Sequence, residues 1–304
     1  MDDDAASSAG DERFIAMRPK LIGVAYRLLG TTSDAEDTVQ EAWLRWRRTD
    51  RDAIENPDAW LTTVVTRLAL DRLRRRKREQ DRYVGPWLPS PVVERVSDPT
   101  EVAELADSMT TAFLLLLERL SPDERAAFLL SDVFGEPYDV VAAAMDRSEQ
   151  ACRQLSSRAR RKLRDSGQVP RRTPVQAGRA VVDRFLAAIA TGDEAAAIAC
   201  VAPHAVLTSD GGARRRAARR PVVGPERIVR LIGNIWRRVP PHWHAEPAVV
   251  GGLPGLIVVR DDGAIYLATG IEVTDGEITA VYSVLNPDKL AGATELASIA
   301  GNPP

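Results

Sequence analysis

The residues best equipped for chemistry lie in a few runs. Ser148, Glu149, Gln150, Arg153, Gln154, Arg158, Arg161 and Lys162 follow one another at helical spacing. Arg pairs with the acceptor edge of guanine and Gln with the edge of adenine, and Arg and Lys also hold phosphates. A second run, Arg67, Arg74, Arg75, Arg76, Lys77 and Arg78, makes the end of another helical stretch strongly positive. Cations suit a helix C-terminus through its dipole, but six basic residues exceed that need, so phosphate contact is the better reading. Asp34, Asp37 and Glu41 stand three and four residues apart. Such an acidic stripe is usually a solvated face, and beside Gln40 it also fits a basic docking partner. A pocket His or Asp would serve acid–base catalysis, and His204, His242 and His244 are the only histidines. Two lie among Pro and Trp, where a structural or exposed role is the default. Cys152 and Cys200 form no CxxC pair, so no metal site and no cofactor is expected.

The elements that must position the first run are legible between Ser121 and Arg164. Ser121 can cap a helix with Pro122 at its first position and Glu124 set for a capping box. Ala126, Ala127, Leu129 and Leu130 form its apolar stripe, and Gly135 stops it. A short helix fits Pro137–Met145, with Val140, Val141 and Ala144 facing inward. Asp146-Arg147 is a tight turn, and Asp tolerates the left-handed conformation better than most residues. Ser148 caps the basic helix. This is the layout of a helix-turn-helix whose last helix enters the DNA major groove. A plain three-helix bundle with a solvated basic face is the competing reading.

The other basic run sits on a helix starting at Asn56-Pro57, with Trp60, Val64, Leu68 and Leu73 facing inward. Before it, Arg13–Leu29 shows helical periodicity and Gly30 ends that helix. Ser33 with Glu36 predicts a capping box for the helix bearing Asp34–Glu41. Residues 1–11 are small and acidic, and disorder is expected there. Tyr83–Pro99 is punctuated by proline and reads as an extended linker. Within it, Trp87-Leu88-Pro89-Ser90-Pro91 is too apolar for a free linker, which predicts docking. Glu101–Leu120 returns to helix.

After a polar stretch at Gly167–Pro174 the texture changes. Helices are expected at Val175–Ala190, Asp193–Cys200 and Pro225–Arg238. Strands are expected at Ala205–Ser209, Ala248–Val250, Leu256–Arg260, Ala264–Val273 and Ile278–Leu285. Asp262-Gly263 and Asp275-Gly276 are hairpin signals. This predicts an α+β domain with an antiparallel sheet.

The 304 residues suffice for two or three domains, and 44% are hydrophobic. The net charge of −2 hides the local basic stripes, which are what phosphate contact requires. The start has no basic and apolar leader pattern. The longest apolar run, Ala112–Leu117, is too short to span a bilayer. A soluble cytoplasmic protein without membrane partners is expected.

Two basic helical modules joined by an extended linker suit a reader of two separated DNA elements. The first resembles region 2 of extracytoplasmic-function (ECF) sigma factors. Asp34-Ala35-Glu36-Asp37-Thr38-Val39-Gln40-Glu41 is similar to their polymerase-docking helix, and Asn56-Pro57-Asp58-Ala59-Trp60-Leu61 to the start of their −10 helix. The second resembles region 4, from the Leu120–Arg125 entry to the Ser148–Arg164 recognition helix. The C-terminal part is similar to the SnoaL-like fold, which one ECF group carries fused. Three motifs mark that group: Trp87-Leu88-Pro89-Ser90-Pro91, with Ser90 where Glu is usual; Asp210-Gly211-Gly212-Ala213-Arg214, with Ala213 departing; and Asn286-Pro287-Asp288-Lys289-Leu290. In the second module, Asp139-Val140-Val141 replaces Glu-Ile-Ala and Asp146 replaces Gly.

The resemblance implies a multidomain fold, with two all-α helical sigma modules followed by an α+β SnoaL-like cone domain. The parts are an N-terminus (1–11), region 2 (12–82), a Pro-rich linker (83–106), region 4 (107–166), a second linker (167–174), the SnoaL-like domain (175–291) and a tail (292–304). It implies a non-enzyme whose partners are core RNA polymerase, through Asp34, Asp37, Gln40 and Glu41, and promoter DNA. The −10 contacts would be Asn56, Trp60, Arg67, Asp71, Arg74 and Arg75, with an extruded base held by the Arg51–Asn56 loop. The −35 contacts would be Ser148, Glu149, Gln150, Arg153, Gln154 and Arg158, with Arg161 and Lys162 on phosphates. Regulation in cis is expected through Trp87, Leu88, Pro89, Pro91, Asp210, Gly211, Gly212, Arg214, Asn286, Pro287, Asp288, Lys289 and Leu290, with no separate anti-sigma factor required. Three alternatives stay open: a cyclase- or isomerase-like enzyme, a small-molecule sensor whose pocket is lined by Trp236, Trp243 and Tyr266, and a plain helix-turn-helix repressor.

Overall fold

The structure is a computed structural model and describes residues 2–51, 53–79, 83–95, 111–165, 175–291 and 293. The second linker, most of the tail and the stretch 96–110 lie outside the described residues. The chain divides into two compact units. The first comprises Met1–Asp81 and Leu116–Val169, and the second Arg82–Leu115 and Pro170–Ala297.

The first unit begins with α1 (Asp2–Leu29), α2 (Thr32–Trp46) and α3 (Pro57–Glu79). Helix α1 runs through the acidic segment expected to be disordered. The C-terminal half of α1 is buried almost all round, through Leu21, Ile22, Val24, Ala25, Tyr26, Leu28 and Leu29. On α2, Ala35, Val39, Ala42 and Trp46 are buried, the face read from sequence. Its cap is Thr31 rather than Ser33, and the Thr31 hydroxyl donates to the Asp34 carboxylate instead of closing a capping box. On α3, Leu61, Val65, Leu68, Ala69 and Leu73 are buried, while Trp60 and Val64 are half-buried. The buried stripe is rotated from the expected one because α3 packs on both sides, against α1 and α2 and against the helices that follow.

After α4 (Thr111–Leu117), most of which belongs to the second unit, these are α5 (Pro122–Phe128, continued by a π-helical turn Leu129–Val133) and α6 (Tyr138–Met145), followed by α7 (Glu149–Asp165). The Ser121 capping box is complete: the Glu124 amide donates to Ser121 Oγ at 3.2 Å, and the Ser121 amide to Glu124 Oε2 at 2.9 Å. Asp146 adopts φ 52° and ψ 53°, the left-handed turn predicted between α6 and α7. Ser148 Oγ accepts from the Ala151 amide and caps α7. Cys152, Leu155, Ser156 and Ala159 bury one face of α7 and leave its basic face outward.

The second unit holds β1 (Val93–Arg95), α8 (Val175–Thr191), α9 (Glu194–Ile198), β2 (Val201–Asp210), β3 (Val222–Val223), α10 (Pro225–Trp236), β4 (His244–Val250), β5 (Leu253–Val259), β6 (Ile265–Thr274), β7 (Glu277–Val284) and α11 (Pro287–Leu290). One seven-stranded sheet has the order β1-β4-β5-β6-β7-β2-β3. It is mixed rather than antiparallel, because β2 runs parallel to β7. These two strands are joined through α10 and the β4–β6 meander, and such a long crossover leaves the parallel orientation open. Asp275 and Gly276, both with positive φ, make the β6–β7 hairpin turn. Val281 faces a cluster built with Phe185, Val182 and Ile228, whereas Tyr282 and Val284 join a second cluster with Leu88, Ile257 and Leu290. That is the alternation of a strand buried on both faces.

The predicted linker belongs to this unit. Val93, Glu94 and Arg95 pair antiparallel with Val250, Val249 and Ala248, adding an edge strand to the sheet. Leu88 is fully buried in the second cluster. Docking of the apolar linker segment therefore has a physical cause: it covers sheet surface that would otherwise face water.

Candidate functional site

On α2, the expected docking stripe is only partly free. Arg72 of α3 lies 3.4 Å from Glu41 and 3.9 Å from Asp37, and its guanidinium also donates to the Asp34 carbonyl. Glu41 further pairs with Arg45 at 2.8 Å. Gln40 is exposed, as is the Asp37 side chain at 74%. Leu44, 46% exposed, extends this stripe one turn further and escaped the sequence reading. Its spacing from Asp37, Gln40 and Glu41 was the available signal. An apolar side chain among charges is a stronger mark of a protein-facing surface than the charges alone.

The expected −10 residues on α3 are divided in their engagements. Asn56 Oδ1 caps the helix through the Ala59 amide. Trp60 stacks on Trp46 with centroids 5.5 Å apart, and Arg51 sits 5.2 Å from the Trp46 ring. Arg67 donates to the Ala143 carbonyl of α6 at 2.6 Å. Arg74 pairs with Asp123 of α5 at 2.7 Å and with Asp71 at 3.5 Å. Arg75 is exposed with no ion pair among the described residues. Arg76, from the same basic run, points inward: it donates to the Leu29 carbonyl and pairs with Glu118 at 3.2 Å. Two candidate DNA-binding arginines are thus held by the helix-turn-helix segment of their own unit.

The buried Arg125 completes this junction. Its guanidinium donates to the carbonyls of Leu28 and Leu117 and pairs with Glu118 at 2.7 Å. Carbonyls at the end of α1 lack helical partners, so Arg125 and Arg76 satisfy backbone groups that would otherwise be buried unpaired. Asp123 also takes Arg147 at 2.5 Å. Burial raises the Asp123 carboxyl, but hydrogen bonds and charge from Arg74 and Arg147 outweigh it and hold it below the usual range.

On α7, Ser148, Glu149, Gln150, Arg153, Gln154, Arg158, Arg161 and Lys162 are all exposed, as the helix-turn-helix reading requires. Gln150, Gln154, Arg158 and Arg161 have no side-chain partner among the described residues. Arg153 pairs with Glu149 at 2.7 Å and lies over the Tyr138 ring at 4.3 Å. Lys162, expected on a phosphate, pairs with Glu124 of the capping box at 2.7 Å.

In the second unit the three short motifs meet at Asp210, which is fully buried. Asp210 Oδ1 accepts from the Tyr83 hydroxyl at 2.7 Å and the Gly212 amide at 2.9 Å. Oδ2 accepts from the Leu88 amide at 2.9 Å and from Lys289 Nζ at 2.6 Å. Lys289 also donates to the Leu88 carbonyl and lies 4.2 Å from the Trp87 ring. Asn286 donates to the Tyr83 hydroxyl, and Arg214 pairs with Asp288 at 3.2 Å. A Cβ on Gly212, at φ 58°, would stand 2.7 Å from the Asn286 amide, so the loop needs glycine there. Leu290 joins the cluster around Leu88. Burial, then the hydrogen bond and charge of Asp210, push the Tyr83 hydroxyl pKa well up. Tyr83 is the member that sequence reading missed.

The three histidines are exposed. His244 pairs with Glu246 at 2.7 Å and His242 lies 3.4 Å from Asp261. Of the aromatics read as pocket lining, Trp243 stacks on Tyr266 at 4.6 Å, while Trp236 packs into the Phe185 cluster. No metal-ligand cluster and no membrane-length apolar helix occurs among the described residues.

Residues 14–79 match the family model Sigma-70 region 2, and residues 110–163 match Sigma-70, region 4. The ECF RNA polymerase sigma factor SigJ of Mycobacterium tuberculosis is 40% identical over 295 residues, covering 92% of this chain and 93% of its own. A probable ECF RNA polymerase sigma factor, SigI of the same species, is 33% identical over 280 residues, covering 90% and 92%. The crystal structure of M. tuberculosis SigJ superposes with a TM-score of 0.70 at 38% identity, over 93% of this chain and 98% of that one. With both sigma regions in order and so similar a sigma factor aligned along nearly the whole length, this chain belongs to the ECF RNA polymerase sigma factors.

Proposed function

We propose that this sigma factor is modulated in cis by its SnoaL-like domain, acting through the linker between the two sigma regions. The observation that carries this reading is the clasp at Asp210. One buried carboxylate and its Lys289 partner hold the linker backbone at Leu88 from both its amide and its carbonyl side. The linker's path thereby depends on the C-terminal domain. No separate anti-sigma factor is needed, and the domain works without catalysis.

In this reading α2 docks on core RNA polymerase through Asp37, Gln40, Glu41 and Leu44, with Asp34 shaping the start of the helix. Helix α3 meets the −10 element through Arg67, Arg74 and Arg75, with Asn56, Trp60 and Asp71 nearby, and α7 reads the −35 element through Gln150, Arg153, Gln154 and Arg158. The contacts of Arg67 with Ala143 and Arg74 with Asp123 describe a closed form, which promoter binding must release. Partnership with core polymerase places its work in the cytoplasm.

In vitro transcription with core polymerase on a cognate promoter tests the cis reading. Full-length protein, a truncation after Arg172 and the Trp87→Ala variant are compared. Altered promoter output from both variants supports it, and output equal to full length from both overturns it.

A further inference from the structure

The stretch following β2 carries more charge than the fold and the clasp use. Between Gly211 and Trp243 there are nine arginines and one carboxylate, Glu226. Elsewhere in residues 175–291 there are four basic residues and eleven acidic ones, so the charge of this domain is segregated.

The loop 211–221 is built to one conformation. The Arg215 amide donates to the Gly211 carbonyl at 3.1 Å, and the Ala218 amide donates to Ser209 Oγ at 2.9 Å. The Arg215 guanidinium donates to the Tyr266 carbonyl at 2.6 Å and lies 4.1 Å from the Tyr266 ring. A Cβ on Gly211 would stand 2.3 Å from the Arg215 carbonyl oxygen, so this turn closes only around glycine. One arginine anchors the loop, and its neighbours face outward. Arg216, Arg219 and Arg220 are exposed, with no hydrogen bond or ion pair to any described residue. On α10, Arg227 and Arg230, one turn apart, are likewise exposed and unpaired among the described residues.

Like charges held close on a fixed backbone repel one another and attract an anion of matching spacing. Within the loop 211–221 the residues other than arginine are Gly, Ala and Pro alone, and Val223, 49% exposed, lies beyond it on β3. The loop therefore has no aromatic or large apolar anchor of the kind that carries protein interfaces. Guanidinium forks without apolar anchors suit phosphates.

We propose that the loop arginines Arg216, Arg219 and Arg220, supported by Arg227 and Arg230, form a third DNA contact that grips duplex phosphates without reading sequence. The SnoaL-like domain then adds affinity for promoter DNA as well as acting on the linker.

The test uses the full chain with Arg216→Ala, Arg219→Ala and Arg220→Ala combined. Binding to a random-sequence duplex is followed as a function of salt, and affinity for core polymerase is measured separately. Each lost phosphate contact lowers the slope of log K against log salt by about 0.9. The expected result is a slope smaller by about 2 to 3, unchanged affinity for core polymerase, and a wild-type slope when lysine replaces the same three arginines. An unchanged slope overturns the proposal. So does a loss confined to the core-polymerase arm, which would assign the patch to an acidic protein surface.

Discussion

Lys289 Nζ lies 2.6 Å from Asp210 Oδ2, and both side chains are removed from solvent. A buried ion pair is a poor source of stability in itself but a costly thing to break, because the surviving charge has no water to return to. Asp210 has four donors and Lys289 also reaches the Leu88 carbonyl, so each charge is satisfied.

Removing either partner is therefore expected to cost about 3–5 kcal/mol, the usual penalty for an orphaned buried charge. Lys289→Met and Asp210→Asn should each lower the urea midpoint and free the Trp87 segment to proteolysis. The double variant should lose less than the sum of the two. Strict additivity in a double-mutant cycle would show that the pair is not coupled.

The junction of α3 with α5 should respond to acid. The folded Asp123 carboxyl is held below its ordinary value, so its contribution is present above the unfolded carboxylate pKa, about 3.9. That contribution is lost as pH falls through the lower folded value. Arg74 and Arg147 are each over 40% exposed, which limits the stabilisation to about 1 kcal/mol. Hydrogen exchange in α5 should quicken below the ordinary carboxylate range, and Asp123→Asn should abolish that pH dependence while raising Arg74-dependent DNA affinity. A pH response kept in the variant would assign it to another group.

The left-handed turn at Asp146 offers a direct measure of backbone strain. Asp pays a steric cost at φ 52° that Gly does not, about 1 kcal/mol. Asp146→Gly should hold or raise the urea midpoint, and Asp146→Val should lower it by more than the glycine gain. If glycine destabilises, the Asp146 side chain holds the turn in some other way.

Local signals were the legible ones. The Ser121 capping box, the Asp146 turn and the Asp275-Gly276 hairpin each lie within a few residues and rest on backbone chemistry alone. The motifs around Trp87, Asp210 and Asn286 were visible as strings, yet their convergence on one carboxylate was not, because it joins residues 79 to 127 positions apart. Arg76 read as part of a phosphate-facing basic run, and Arg125 only as the end of the region 4 entry. Their inward turn depends on the free carbonyls at the end of α1, which no sequence window contains. The edge strand Val93–Arg95 is too short to leave a period, and the parallel pairing of β2 with β7 is a property of topology. Leu44 was missed because a lone exposed leucine is ordinary until its neighbours on the helix are known.

Leu44 and Asp37 should separate polymerase docking from DNA recognition. Leu44→Asp removes an apolar contact, and Asp37→Arg reverses a charge that is 74% exposed. Both should weaken binding to core polymerase, the first by about tenfold or more if the leucine is a buried anchor in the complex, while leaving duplex binding by the isolated chain unchanged. Arg158→Ala should do the reverse. Its loss should cost about 1–3 kcal/mol and relax preference at one promoter position, whereas Arg161→Ala should weaken all sequences alike and lower the salt slope by about 1. Core-binding titrations and promoter-library binding on the same four variants read both effects. If Leu44→Asp binds core polymerase as wild type does, the α2 stripe is a solvated face and docking must be sought elsewhere.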